Sequence, residues 1–118
     1  MEGTDTGDVF TVSTRREGAV AVVELAGELD LHESKRLGAA LSQLLDERSR
    51  EGPGGSLDAI ELDAGALTFI DSAGVRAVLL ARAAAADVGV DFRFAKVSPA
   101  IRRIVEIAGA GELLSDGG

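Results

Sequence analysis

The sequence has no cysteine, no tryptophan and no tyrosine. Without cysteine there is no disulfide, no zinc–thiolate cluster and no thiol nucleophile. That composition suits a reducing cytoplasm, where the chain is expected to work. Four phenylalanines are its only aromatic residues, too few for the exposed stacking platform that single-stranded nucleic acid requires. Histidine occurs once, as His32, so a serine–histidine triad has no confirming pattern. The ring reads instead as an exposed side chain near a helix start. There is no P-loop or dinucleotide fingerprint and no nucleotide clamp of the kind phosphoryl transfer uses. Neither enzymatic activity nor a cofactor is expected. The opening residues, MEGTDTGDVF, hold no basic region and no apolar run, so no signal peptide is read there. No apolar stretch reaches the roughly 18 residues that would cross a membrane.

Positive charge is also scarce. Twelve Lys and Arg face twenty Asp and Glu, for a formal net charge of −8. Phosphate backbones and anionic membranes are repelled on average, and the only dense basic pairs are Arg15-Arg16 and Arg102-Arg103. No nucleic-acid or membrane partner is expected; an acidic surface suits a basic protein partner instead.

What is present is enough for one domain. The 118 residues are 46% hydrophobic, mostly Ala, Val, Leu and Ile, which supports a core and argues against wholesale disorder. Residues 1–8 are small and polar and read as a flexible N-terminus; the domain is placed at residues 9–115. VFTVST and AVAVVEL are strand-like runs, with RREG between them as the link of a hairpin. Leu37, Ala40, Leu41, Leu44 and Leu45 share one helical stripe within residues 31–50, with Asp30 as N-cap and Glu33 placed as in a capping box. EGPGGS, residues 51–56, stops that helix. A third strand lies in LDAIELDAG and is connected onward to FIDSAG; a second helix spans residues 73–87. VDFRFAKV is the fourth strand. Ser98-Pro99 opens a third helix, which ends at Gly109 and Gly111, and a short turn is expected over Glu112–Leu114.

The order β-β-α-β-α-β-α implies an α/β domain with a mixed sheet of about four strands. Right-handed crossovers make the later strands parallel, and the first lies antiparallel at an edge. Strands buried on both faces read as continuous apolar runs. These alternate, with Glu24, Glu61 and Arg93 at intervening positions. The helices are therefore expected mainly on one face, with the other face wet.

The stretch FIDSAGVRAVLL, residues 69–80, sets a carboxylate and a hydroxyl directly after an apolar pair. It follows the third strand, as GELD (residues 27–30) follows the second. If those strands are adjacent and parallel, Asp30 and Asp71 share one sheet edge, the carboxyl edge where ligand chemistry gathers in open α/β sheets. Two readings are open. In one, Ser72 or Asp71 simply caps the second helix. In the other, Ser72 offers its hydroxyl to an outside enzyme, with Gly74 leaving the backbone uncovered. Asp30, Asp63 and Asp71 are the carboxylates a Mg²⁺ would recruit, but strand-end carboxylates are common and no metal site is expected.

Three pieces taken together, GELD, TFIDSAGVRAVLL and KVSPAIRRIVEIAG, resemble the STAS-domain family, and within it the small anti-anti-sigma factors, or anti-sigma factor antagonists. The resemblance covers about residues 9–115. It implies a protein that binds an anti-sigma factor which is also an ATP-dependent serine kinase. Binding frees a sigma factor for transcription. The kinase then phosphorylates the serine that corresponds to Ser72, the phosphoprotein lets go, and a phosphatase resets it. The resemblance places the partner-binding site at Asp30, Asp71, Ser72, Gly74 and Arg76. Members often carry Ser or Thr at the position of Ala73 and Leu-Gly at Val75-Arg76. The acceptor survives both departures, and Arg76 is expected to bear on which kinase fits. STAS domains also serve as accessory subunits of transporters and of stress-signalling assemblies, which is the alternative function.

Overall fold

The computed structural model describes residues 10–51 and 56–114. The elements are β1 (Thr11–Glu17), β2 (Val20–Leu29), α1 (Leu31–Glu51), β3 (Ala59–Ile70), α2 (Ser72–Asp87), β4 (Asp91–Val97) and α3 (Pro99–Ile107), then a 3-10 turn over Gly111–Leu114. The expected flexible N-terminus, residues 1–8, and most of the EGPGGS loop lie outside the described residues.

The four strands form one sheet in the order β1-β2-β3-β4. β1 runs antiparallel to β2, and β2, β3 and β4 run parallel. Alternation along each strand sorts the two faces. Ala21, Val23 and Leu25 of β2, Ile60 and Leu62 of β3, and Phe92 and Phe94 of β4 are buried in one core. The same core takes Leu37, Leu41 and Leu45 from α1, Val75, Val78 and Ala85 from α2, and Ile101 and Val105 from α3. Burying each large aliphatic side chain contributes about 1.5–3 kcal/mol, and a one-residue slip of a strand would turn its whole set outward. The helices thus cover one face, as the alternation implies. On the other face Arg15 reaches Glu24 at 2.6 Å and Arg93 reaches Glu61 at 2.6 Å. Hydrogen bonds donated to Glu17 and then Glu24 raise the Arg15 pKa above its ordinary value.

Three local expectations are corrected. RREG is not the hairpin link: Arg15, Arg16 and Glu17 belong to β1, with Glu17 opposite Val20. The turn is Gly18-Ala19, and Gly18 takes the left-handed φ of 62° that such a tight turn needs. The residues between LDAIELDAG and FIDSAG form no separate connection, because β3 runs unbroken for 12 residues. Its irregularity appears instead as shifts of register against β2 and β4. Finally, the Glu33 carboxylate does not close a capping box; it accepts from Arg36 Nη1 at 3.0 Å, one turn along α1.

Candidate functional site

β2 and β3 end side by side, with Leu29 opposite Ile70. The next residues, Asp30 and Asp71, therefore begin α1 and α2 at one edge of the sheet. The first N–H groups of any helix lack intrahelical partners, and the two carboxylates supply them. Asp30 Oδ1 accepts from Glu33 N at 2.9 Å. Asp71 has extended backbone and is the N-cap of α2; its Oδ1 accepts from Gly74 N at 2.9 Å. Its other oxygen, Oδ2, accepts from Leu31 N at 3.1 Å. A single carboxylate thus holds the starts of two helices whose residues lie 40 apart in sequence. The Asp71 backbone adds to the junction, donating its N–H to Leu29 O at 3.2 Å.

Asp71 being the cap, Ser72 is the first residue of α2. Its side chain is exposed, and its hydroxyl has no hydrogen-bond partner among the described residues. Capping, which the first reading gave to either residue, belongs to Asp71, and the serine hydroxyl is left facing solvent.

Gly74 plays a different part from the one its sequence position suggests. It is buried. A Cβ there would fall 2.8 Å from Leu29 O and 2.8 Å from Ile70 Cγ1, closer than real contacts permit. Glycine lets α2 approach the end of β2, and it presents no surface of its own. Arg76 is exposed one turn beyond Ser72. Ser72, Val75, Arg76, Leu79, Leu80 and Ala108 line a shallow groove between α2 and the end of α3.

Sequence reasoning missed the apolar residues around this edge. Leu31 is 66% exposed, Phe69 43%, Leu80 58% and Ile107 78%. Leu31 follows Asp30, Phe69 precedes Asp71 by two positions, and Leu80 sits on the groove. Exposed large side chains grouped near one site mark interaction surfaces more often than isolated ones do. Leu80 and Ile107 lie off the buried stripes of α2 (Val75, Val78, Ala85) and α3 (Ile101, Val105), and that offset is the signal that could have found them. Asp63 stands apart on β3, where its Oδ1 accepts from Gly65 N and its Oδ2 lies 3.8 Å from Lys96 Nζ. Among the described residues no three His, Asp or Glu side chains gather as a metal site would require. His32 is exposed. No described helix is long and apolar enough to cross a membrane.

The family model described as "Mlab, STAS domain" matches residues 12–115. Among solved structures, the anti-sigma factor antagonist SpoIIAA in its unphosphorylated form is 24% identical, with a TM-score of 0.71 over 91% of this chain and 86% of that one. The phosphorylated form of SpoIIAA, a Bacillus cell fate determinant, gives a TM-score of 0.65. An anti-sigma factor antagonist from Mycobacterium paratuberculosis is 21% identical, with a TM-score of 0.73 over 94% of this chain and 87% of that one. The murine anion transporter Slc26a9 is 14% identical, with a TM-score of 0.60 over 82% of this chain but 14% of the transporter. At these identities the likeness is one of fold. No curated protein sequence gives a significant match.

Proposed function

This chain belongs to the STAS-domain family, and we propose that within it the protein is a non-enzymatic anti-sigma factor antagonist switched by phosphorylation of Ser72. The observation that carries this reading is the Ser72 hydroxyl, exposed and without a hydrogen-bond partner among the described residues, at the first position of α2. It faces solvent on a junction that the two oxygens of Asp71 join by hydrogen bonds to Gly74 N and Leu31 N. The partner is an anti-sigma factor that is also a serine kinase. In the switching step, Ser72 Oγ attacks the γ-phosphorus of ATP. An Oγ–P bond forms, the bond to ADP breaks, and the hydroxyl proton leaves to a base of the kinase. A phosphatase later hydrolyses the ester. The protein acts in the cytoplasm, where sigma factors work.

Local charge is sufficient for control. A phosphate adds about −1.5 to −2 charges beside two carboxylates and within a surface that also holds exposed Leu31 and Phe69. Repulsion and desolvation then both oppose docking. An unfavourable change of roughly 2–3 kcal/mol weakens binding some 30- to 150-fold. No rearrangement of the fold is needed. That SpoIIAA, a relative in fold, has been solved both with and without phosphate supports the reading.

The test is to capture the partner with the unmodified chain, add ATP and map the product by mass spectrometry. One phosphate on Ser72, accompanied by release, is expected. Ser72→Ala should stay bound and Ser72→Asp should bind poorly. Tight binding by the phosphorylated wild type would overturn the mechanism. The similarity to the Slc26a9 domain favours a second reading, an accessory role beside a transporter. Capture of a transporter component, with Ser72 unmodified by ATP, would select it.

A further inference from the structure

Arg76 lies four residues after Ser72, the spacing that places two side chains on one face of a helix. Both line the groove between α2 and α3, whose other walls are apolar. Arg76 is exposed and makes no ion pair among the described residues. Other arginines do: Arg15, Arg36, Arg82 and Arg93 each hold a carboxylate. A guanidinium one turn C-terminal to an anion is also the favourable order for an i, i+4 pair, because it follows the helix dipole. Phosphate oxygens and guanidinium N–H groups match in geometry, and their charge-assisted hydrogen bonds are about twice as strong as neutral ones.

We propose that Arg76 is the internal counter-ion of a phosphate on Ser72, so that modification adds negative charge and also draws a guanidinium away from the surface offered to the partner. This rests on the reading of Ser72 as the modified residue and deepens it. The unmodified groove presents a cation beside Leu79 and Leu80; the modified groove presents a paired, neutralised cation beside a dianion. The switch therefore has two charge changes from one covalent event.

The test uses the full chain with phosphoserine installed at position 72 during translation, titrated by ³¹P NMR. The second ionisation of an unpaired phosphoserine lies near pH 6. Pairing with Arg76 should lower it by roughly 0.2–0.4 of a pH unit, and Arg76→Gln should restore it. Arg16→Gln is the control. It removes the same charge from the far end of the sheet, where Arg16 Nη2 approaches Ser56 Oγ at 3.3 Å, and should leave the phosphate unmoved. Equal titrations for wild type and Arg76→Gln, or an equal rise in Arg16→Gln, overturn the proposal. Because the phosphate is installed without a kinase, this result is independent of the antagonist reading. That reading fails separately, if the captured partner does not modify Ser72.

Discussion

At the start of α3 the Ser98 hydroxyl accepts from Ile101 N at 3.2 Å, with Pro99 at the first helical position. At the start of α2 the same task falls to Asp71, which accepts from Gly74 N at 2.9 Å, and the serine comes one residue later. Both helices open with a serine within a residue of the boundary, yet Ser98 is tied into the fold and Ser72 is not. A shift of one position decides whether the hydroxyl is structural or available. The carboxylate also achieves what a hydroxyl at that place does not, since its second oxygen reaches Leu31 N and joins α1 to the junction.

Substitutions at these positions can break or sharpen that contrast. Asp71→Ala should have the largest effect on stability, about 2 kcal/mol. It removes a cap, typically worth about 1 kcal/mol, and also leaves Leu31 N without its acceptor. Urea denaturation should show a lower midpoint with an unchanged slope, and Asp71→Asn, which keeps one acceptor oxygen, should fall between. Ser98→Ala should cost about 1 kcal/mol, the ordinary value for a lost serine cap. Ser72→Ala should change stability by less than about 0.5 kcal/mol, as exposed substitutions without partners do, while abolishing phosphorylation. Should Ser72→Ala prove as costly as Ser98→Ala, the hydroxyl is structural after all and the contrast collapses.

Much of the fold was legible because it follows from local patterns. Ala21, Val23 and Leu25 alternate with Val22 and Glu24, and the helical stripes repeat at the right spacing; burial follows the stripes and the alternation, except that Val22 is buried as well. The hairpin was misplaced because Arg15 and Arg16 look like loop residues. In the structure they extend an edge strand, where charged side chains face water. The connection expected before FIDSAG came from ending the strand within LDAIELDAG, whose last residues Asp63-Ala64-Gly65 are small and turn-like. Parallel neighbours on both sides override that local preference and convert it into shifts of register.

The site divides in the same way. Asp30 and Asp71 as caps were legible, since a cap bonds to residues three positions on. The bond from Leu31 N to Asp71 was not, because it joins residues 40 apart in sequence. Gly74 was misread as an uncovered backbone for the same reason. What requires glycine there is Leu29 O, supplied by a different strand.

The bond between Asp71 and Leu31 N means that the surroundings of Ser72 are not built only from the residues next to it in sequence. A synthetic peptide copying residues 69–80 would keep every side chain of the FIDSAG stretch and lose Leu29 and Leu31, hence one of the two helices that Asp71 anchors. Such a peptide would not reproduce the surroundings of Ser72, and grafting those twelve residues onto another scaffold would not carry the two-helix junction with them.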